Sequence, residues 1–87
     1  MRDSARYKQD MINLLEVPVG KTARLIKIND SLHLKFKQYG LHIGDRLRVL
    51  RIAPLRGPLL IEVNDREIAL GCGVAEKIFV EVECELL

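Results

Sequence analysis

The sequence predicts a mainly β fold, a small five-stranded barrel with one short inserted helix. Three observations carry that expectation. Apolar residues alternate with polar ones in short runs bounded by glycine, proline or asparagine–aspartate pairs. A single segment, from Ser31 to Tyr39, switches to helical spacing instead. The chain has 87 residues, 48% of them hydrophobic, which is enough for one core and one domain. Aromatic residues are only 5% and tryptophan is absent, so that core must be aliphatic.

The patterned sequence begins at Met11, which divides the chain into a polar N-terminal extension, 1–10, and a domain, 11–87. Pro18 and Gly20 form a turn ahead of the first strand, Thr22–Ile28, which is rich in β-branched and aliphatic residues. Asn29-Asp30-Ser31 ends it, and Asp30 or Ser31 suits a helix N-cap, because a short side-chain oxygen accepts from an orphan N–H. Leu32, Phe36 and Tyr39 then recur on one helical face, and Gly40 stands where a left-handed C-cap is wanted. Such a short helix needs packing to be stable.

The second strand runs from Arg46 to Ala53. Leu47 and Val49 alternate with arginines, then Leu50 and Ile52 take over the apolar role, a phase slip that calls for a β-bulge. Pro54–Pro58 is a loop. Leu59, Ile61 and Val63 share one face of the third strand, and Asn64-Asp65 is a hairpin turn. Ile68 and Leu70 face inward on the fourth strand. Gly71-Cys72-Gly73 breaks the chain, Val74–Lys77 makes a helical turn, and Ile78, Val80 and Val82 line the fifth strand. Strands this short and this evenly spaced suggest a closed barrel without exposed edges.

Composition excludes several function classes. No apolar run approaches the roughly 20 residues of a membrane span, and residues 1–10 lack the apolar core of a signal peptide. Two cysteines, Cys72 and Cys84, are too few for a disulfide framework, so a reducing cytoplasm is expected. His33, His42, Cys72 and Cys84 could ligate a metal, but none stands at a paired-ligand spacing, and no metal site is assigned. Cys72 has no neighbouring base in sequence, and there is no phosphate-binding glycine loop. The expectation is a non-enzyme without a cofactor or small-molecule substrate.

Net charge is +2, from 14 basic and 12 acidic residues, but its distribution is uneven. Arg46, Arg48, Arg51 and Arg56 fall in one acid-free stretch, whereas Glu76, Glu81, Glu83 and Glu85 gather near the C-terminus. A nucleic-acid-binding barrel is therefore the alternative function. The lack of aromatics among the arginines and the low net charge speak against it. A protein-binding surface fits better. Pro54, Leu55 and Pro58 put apolar side chains on a loop beside Arg56, and Phe79 is out of phase with its inward neighbours. Leu41, just after the helix stop, either joins that surface or plugs the core.

Four parts of the chain, in order, resemble the FeoA family. Leu15 and Gly20 precede the first strand. Gly40-Leu41-His42-Ile43-Gly44 follows the helix. Ala53-Pro54-Leu55-Arg56-Gly57-Pro58 follows the second strand, and Ile68-Ala69-Leu70 leads to Ala75-Glu76-Lys77-Ile78-Phe79-Val80. The resemblance spans about Leu14 to Glu83. It implies an SH3-like barrel and a cytosolic accessory of the FeoB-type ferrous-iron permease that acts by protein contact; the surface reading above makes Leu55, Arg56 and Phe79 the expected contact residues. Similar domains end the iron-dependent repressors of the diphtheria-toxin-repressor type. Only ten residues precede the pattern here, so the helix-turn-helix of those repressors is not expected. The chain departs from the family pattern at Gly71-Cys72-Gly73, where charged residues are common.

Overall fold

The computed structural model describes residues 11–83, so the expectations for residues 1–10, Cys84 and Glu85 lie outside the described residues. Strands β1 (Ile12–Asn13), β2 (Thr22–Ile28), β3 (Arg46–Ile52), β4 (Leu59–Val63), β5 (Arg66–Leu70) and β6 (Ile78–Val82) form one antiparallel sheet. Helix α1 (His33–Gln38) joins β2 to β3, and α2 (Cys72–Ala75) joins β5 to β6. The spatial order is β1-β6-β2-β3-β4-β5.

The architecture is the expected mainly β, SH3-like one, with two amendments. The sheet has six strands rather than five, because Ile12 and Asn13 pair with Val80 and Phe79. It is not closed into a ring. Among the described residues β1 and β5 are its two edges, and the start of β5 reaches the end of α1. There Arg66 donates from Nη1 to the Tyr39 carbonyl at 3.4 Å and from Nη2 to the Gly40 carbonyl at 3.2 Å.

Strand alternation is unbroken along β4, which lies between β3 and β5. Leu59, Ile61 and Val63 on β4 are buried, with Leu60 and Glu62 only half-buried between them. Each aliphatic side chain so buried contributes about 1.5–3 kcal/mol. The slip in β3 is a bulge. Val49 pairs with Ile61 and Arg51 with Leu60, which leaves Leu50 without an opposite residue. Ile52 does not regain the core, being 41% exposed at the mouth of the following loop. A second register shift falls between Leu25 and Lys27 on β2. Two bulges on the long central strands supply the local bend that curls the sheet. The β4–β5 hairpin turns on Asn64 and Asp65 at φ 51° and 65°, both left-handed as a type I′ turn requires.

The helical segments sit slightly differently from the sequence expectation. The cap is Asn29, not Asp30 or Ser31. Its Oδ1 accepts from the Ser31 N–H at 2.9 Å and opens a 3-10 turn over Asp30–Leu32 that runs on into α1. A second 3-10 turn, Leu14–Glu16, is fixed by a reciprocal capping box. Asn13 Oδ1 accepts from the Leu15 N–H at 3.0 Å, and the Asn13 N–H donates to Glu16 at 3.3 Å. α2 begins at Cys72 rather than Val74, with Gly71 as its N-cap.

The end of α1 settles the place of Leu41. Gly40 has φ +75°, its N–H donates to the Lys37 carbonyl at 2.9 Å, and the Leu41 N–H donates to the Phe36 carbonyl at 3.2 Å. Those two bonds are a Schellman motif, which drives an apolar residue at this position back against the helix. Leu41 is accordingly 1% exposed and belongs to the core with Leu32 and Phe36.

Candidate partner-binding surface

Between β3 and β4 the chain makes a tight loop whose tip is apolar. The Ala53 N–H donates to the Pro58 carbonyl at 3.0 Å, and the Gly57 N–H donates to the Pro54 carbonyl at 3.1 Å. Gly57 is demanded by space, since a Cβ there would stand 2.8 Å from the Ala53 Cβ and 3.0 Å from the Pro54 carbonyl oxygen. Within this frame Leu55 and Arg56 take φ 58° and 59°. A non-glycine residue in the left-handed region costs about 1–2 kcal/mol. The loop accepts that cost twice and places Leu55 at its tip, 98% exposed. Pro54 and Pro58 are exposed beside it.

Arg56 reaches from the loop to Glu76, Nη2 to Oε1 at 3.6 Å. Glu76 caps the end of α2, and its carbonyl accepts from the Asn13 side-chain amide. The loop is thereby tied to the segment that leads into Phe79. Phe79 lies in register with Asn13 on β1 and Lys27 on β2, and it is half-buried on the face opposite the core residues Ile78 and Val80. Of the residues singled out from sequence, Pro54, Leu55 and Arg56 share one loop, and Arg56 connects that loop to the start of the Phe79 strand. Leu41 does not contribute, because it is in the core.

The arginine stretch is less basic in three dimensions than in sequence. Arg46 makes a two-pronged contact with Glu83, both N–O distances being 2.9 Å. Arg48 lies 3.3 Å from Glu62. With Arg56 on Glu76, three of the four arginines face carboxylates from other elements. The separate basic and acidic sides suggested by the sequence are thus interleaved. All these pairs are solvent-exposed, worth about 0–1 kcal/mol each, so they matter for the surface potential more than for stability.

The candidate metal ligands are scattered. His33 and His42 are exposed, His42 Nδ1 lies 3.7 Å from Asp45, and Cys72 is half-buried on α2. Among the described residues no group of three or more His, Cys, Asp or Glu side chains is placed to hold a metal ion. Nor, among them, is any helix long and apolar enough to cross a membrane. Sequence reasoning passed over Leu34. It lies off the Leu32–Phe36–Tyr39 stripe and is 75% exposed, so the helical spacing itself marks it as an outward apolar residue.

The comparisons with known proteins agree with this geometry. The family model of the FeoA domain matches residues 12–82. The chain belongs to the FeoA family. Among solved structures it is similar to an iron uptake regulatory protein (FeoA), with a TM-score of 0.73 and 27% identity over 84% of this chain and 97% of the other. It shares its fold with a FeoA-like protein from Clostridium acetobutylicum, TM-score 0.80 and 23% identity, over 92% of this chain and 95% of that one. A manganese-dependent transcriptional repressor carries the same fold at a TM-score of 0.76 and 24% identity, over 84% of this chain but only 42% of the repressor. No curated protein sequence matches significantly. Membership of the FeoA family implies an accessory role in ferrous-iron transport.

Proposed function

We propose that this FeoA domain acts without catalysis, in the cytoplasm, by binding the cytosolic region of a FeoB-type ferrous-iron permease. The contact is made through Pro54, Leu55 and Arg56 of the β3–β4 loop, together with Phe79. The supporting observation is Leu55, a fully exposed leucine held in a disfavoured backbone conformation at the tip of a hydrogen-bonded loop. Folding alone gains nothing from that arrangement. A partner pocket that buries the side chain does.

The test is a titration of the protein into the detergent-solubilised permease of the same organism, with and without ferrous iron and guanine nucleotide. Saturable binding that Leu55→Asp weakens supports the assignment. Undiminished binding by a folded Leu55→Asp protein removes the loop from the interface, and no binding under any of these conditions removes the permease as partner.

A further inference from the structure

Gly71 and Gly73 are glycines that the fold does not require. Gly71 has φ −64° and ψ 157°, ordinary extended backbone, and Gly73 lies inside α2 without a positive φ. A Cβ built on either would meet no atom within 4 Å. Neither conformation nor packing asks for glycine here. Glycine is disfavoured inside a helix, and serine or aspartate caps one at least as well. What the pair does provide is bare backbone on a surface where another chain can come close.

Both glycines line a groove of about 450 Å³ between α1 and α2. Its walls carry three apolar side chains, the buried Leu32, the half-buried Val74 and the exposed Leu34. Lys35 and Lys77 flank them, and neither ammonium has a carboxylate within ion-pair distance among the described residues. The one carboxylate in the lining, Glu76, faces Arg56. The groove therefore combines unpaired positive charge, apolar surface and open backbone. It holds no aromatic ring on which a nucleobase could stack.

We propose that this α1–α2 groove docks an acidic, apolar polypeptide segment: its carboxylates pair with Lys35 and Lys77, its aliphatic side chain packs on Leu34 and Val74, and its backbone passes over Gly71 and Gly73. The proposal rests on the reading that the domain works by protein contact, but it concerns a surface separate from the tip of the β3–β4 loop. Charge complementarity selects an acidic segment over a basic one. The glycines select a polypeptide whose main chain approaches closely, as in backbone-mediated peptide recognition.

The experiment follows amide resonances of the full chain during titration with a short capped peptide of glutamates flanking two leucines. A peptide with lysines in place of the glutamates and a single-stranded oligonucleotide are run in parallel. Docking in the groove gives shifts confined to Ser31–Lys35 and Gly71–Lys77, with the glutamate peptide alone. Gly73→Ala raises the thermal midpoint yet weakens peptide binding by about tenfold, because its methyl group stands where the bound backbone must pass. Lys35→Glu combined with Lys77→Glu weakens it by about tenfold or more. Leu55→Asp leaves peptide binding unchanged, which separates this proposal from that for the loop. The proposal is overturned by an equal response to the lysine peptide, by a preference for the oligonucleotide, or by no shifts in the groove. Unaltered binding to a folded Gly73→Ala protein overturns it as well.

Discussion

Replacing Leu55 by asparagine should raise the stability of the protein while lowering its affinity for a partner. Leu55 has φ 58° and is 98% exposed, so its side chain contributes no packing to the folded monomer. The left-handed conformation costs an ordinary residue about 1–2 kcal/mol, and asparagine a good deal less. Asparagine at position 55 should therefore recover up to about 1 kcal/mol, which for a domain of this size is a rise of about 4–8 °C in Tm. The binding term has the opposite sign. Burying a fully exposed leucine contributes about 1.5–3 kcal/mol. At 1.4 kcal/mol per decade, its loss should weaken binding by about 10- to 150-fold. Differential scanning calorimetry reads the first quantity, and isothermal titration against the solubilised permease reads the second. A fall in Tm of several degrees would show that Leu55 packs against its own domain. An unchanged affinity would show that the loop tip is not an interface. Either result refutes the reasoning.

Leu41→Ala should cost about 2–5 kcal/mol in denaturant unfolding, the loss of a fully buried leucine, whereas a surface residue would cost almost nothing. Gly40→Ala meets two obstacles, its φ of +75° and the Arg66 guanidinium 3.0 Å from the new methyl group, and should destabilise by about 1–2 kcal/mol. Combined with Arg66→Ala, which removes two bonds to the end of α1, its cost should be less than additive in a double-mutant cycle of unfolding free energies, because the two share a contact. Asp65→Gly should stabilise the β4–β5 turn by a few tenths to about 1 kcal/mol, since Asp65 already sits at φ 65°, and its Tm should rise.

Most of the sheet was legible because its information is local. Alternation in 59–63 and 78–82 names the inward face directly, and the shift from Leu47 and Val49 to Leu50 announces the bulge at the residue where the register breaks. The misses have local physical reasons too. Asn29, Asp30 and Ser31 are three consecutive residues able to cap, and only the backbone entering at ψ 140° selects Asn29. Gly71-Cys72-Gly73 reads as a helix breaker, yet a four-residue turn can start there because its first N–H groups need no partner from the helix itself. Leu41 was ambiguous on burial alone. It is decided by its offset from Phe36 across a left-handed glycine, which is a Schellman spacing. β1 is two residues long and carries no period, and its existence depends on β6 arriving beside it.

The arginine stretch shows what sequence proximity cannot convey. Arg46, Arg48 and Arg56 read as a basic strip because no acid lies among them, but Glu83, Glu62 and Glu76 reach them from β6's end, β4 and the end of α2. A strip of paired charges is a weak attractor for a polyanion, whose binding depends on free cations that displace its counterions. The positions that do point to function share a different property. At Leu55 the residue type disagrees with the backbone it occupies, and at Gly73 the residue type exceeds anything the backbone or the packing needs. Local choices in a folded chain ordinarily agree with the fold, so the disagreements at these two exposed positions are the ground for the two proposed contacts. Arg56 and Glu76 join these two places through one ion pair, with Glu76 lining the groove and Arg56 following Leu55 in the loop. A partner long enough to cover the loop tip and enter the groove would pass over that pair. Such a partner would desolvate the pair, and an exposed contact of little energetic consequence would become one that discriminates between partners.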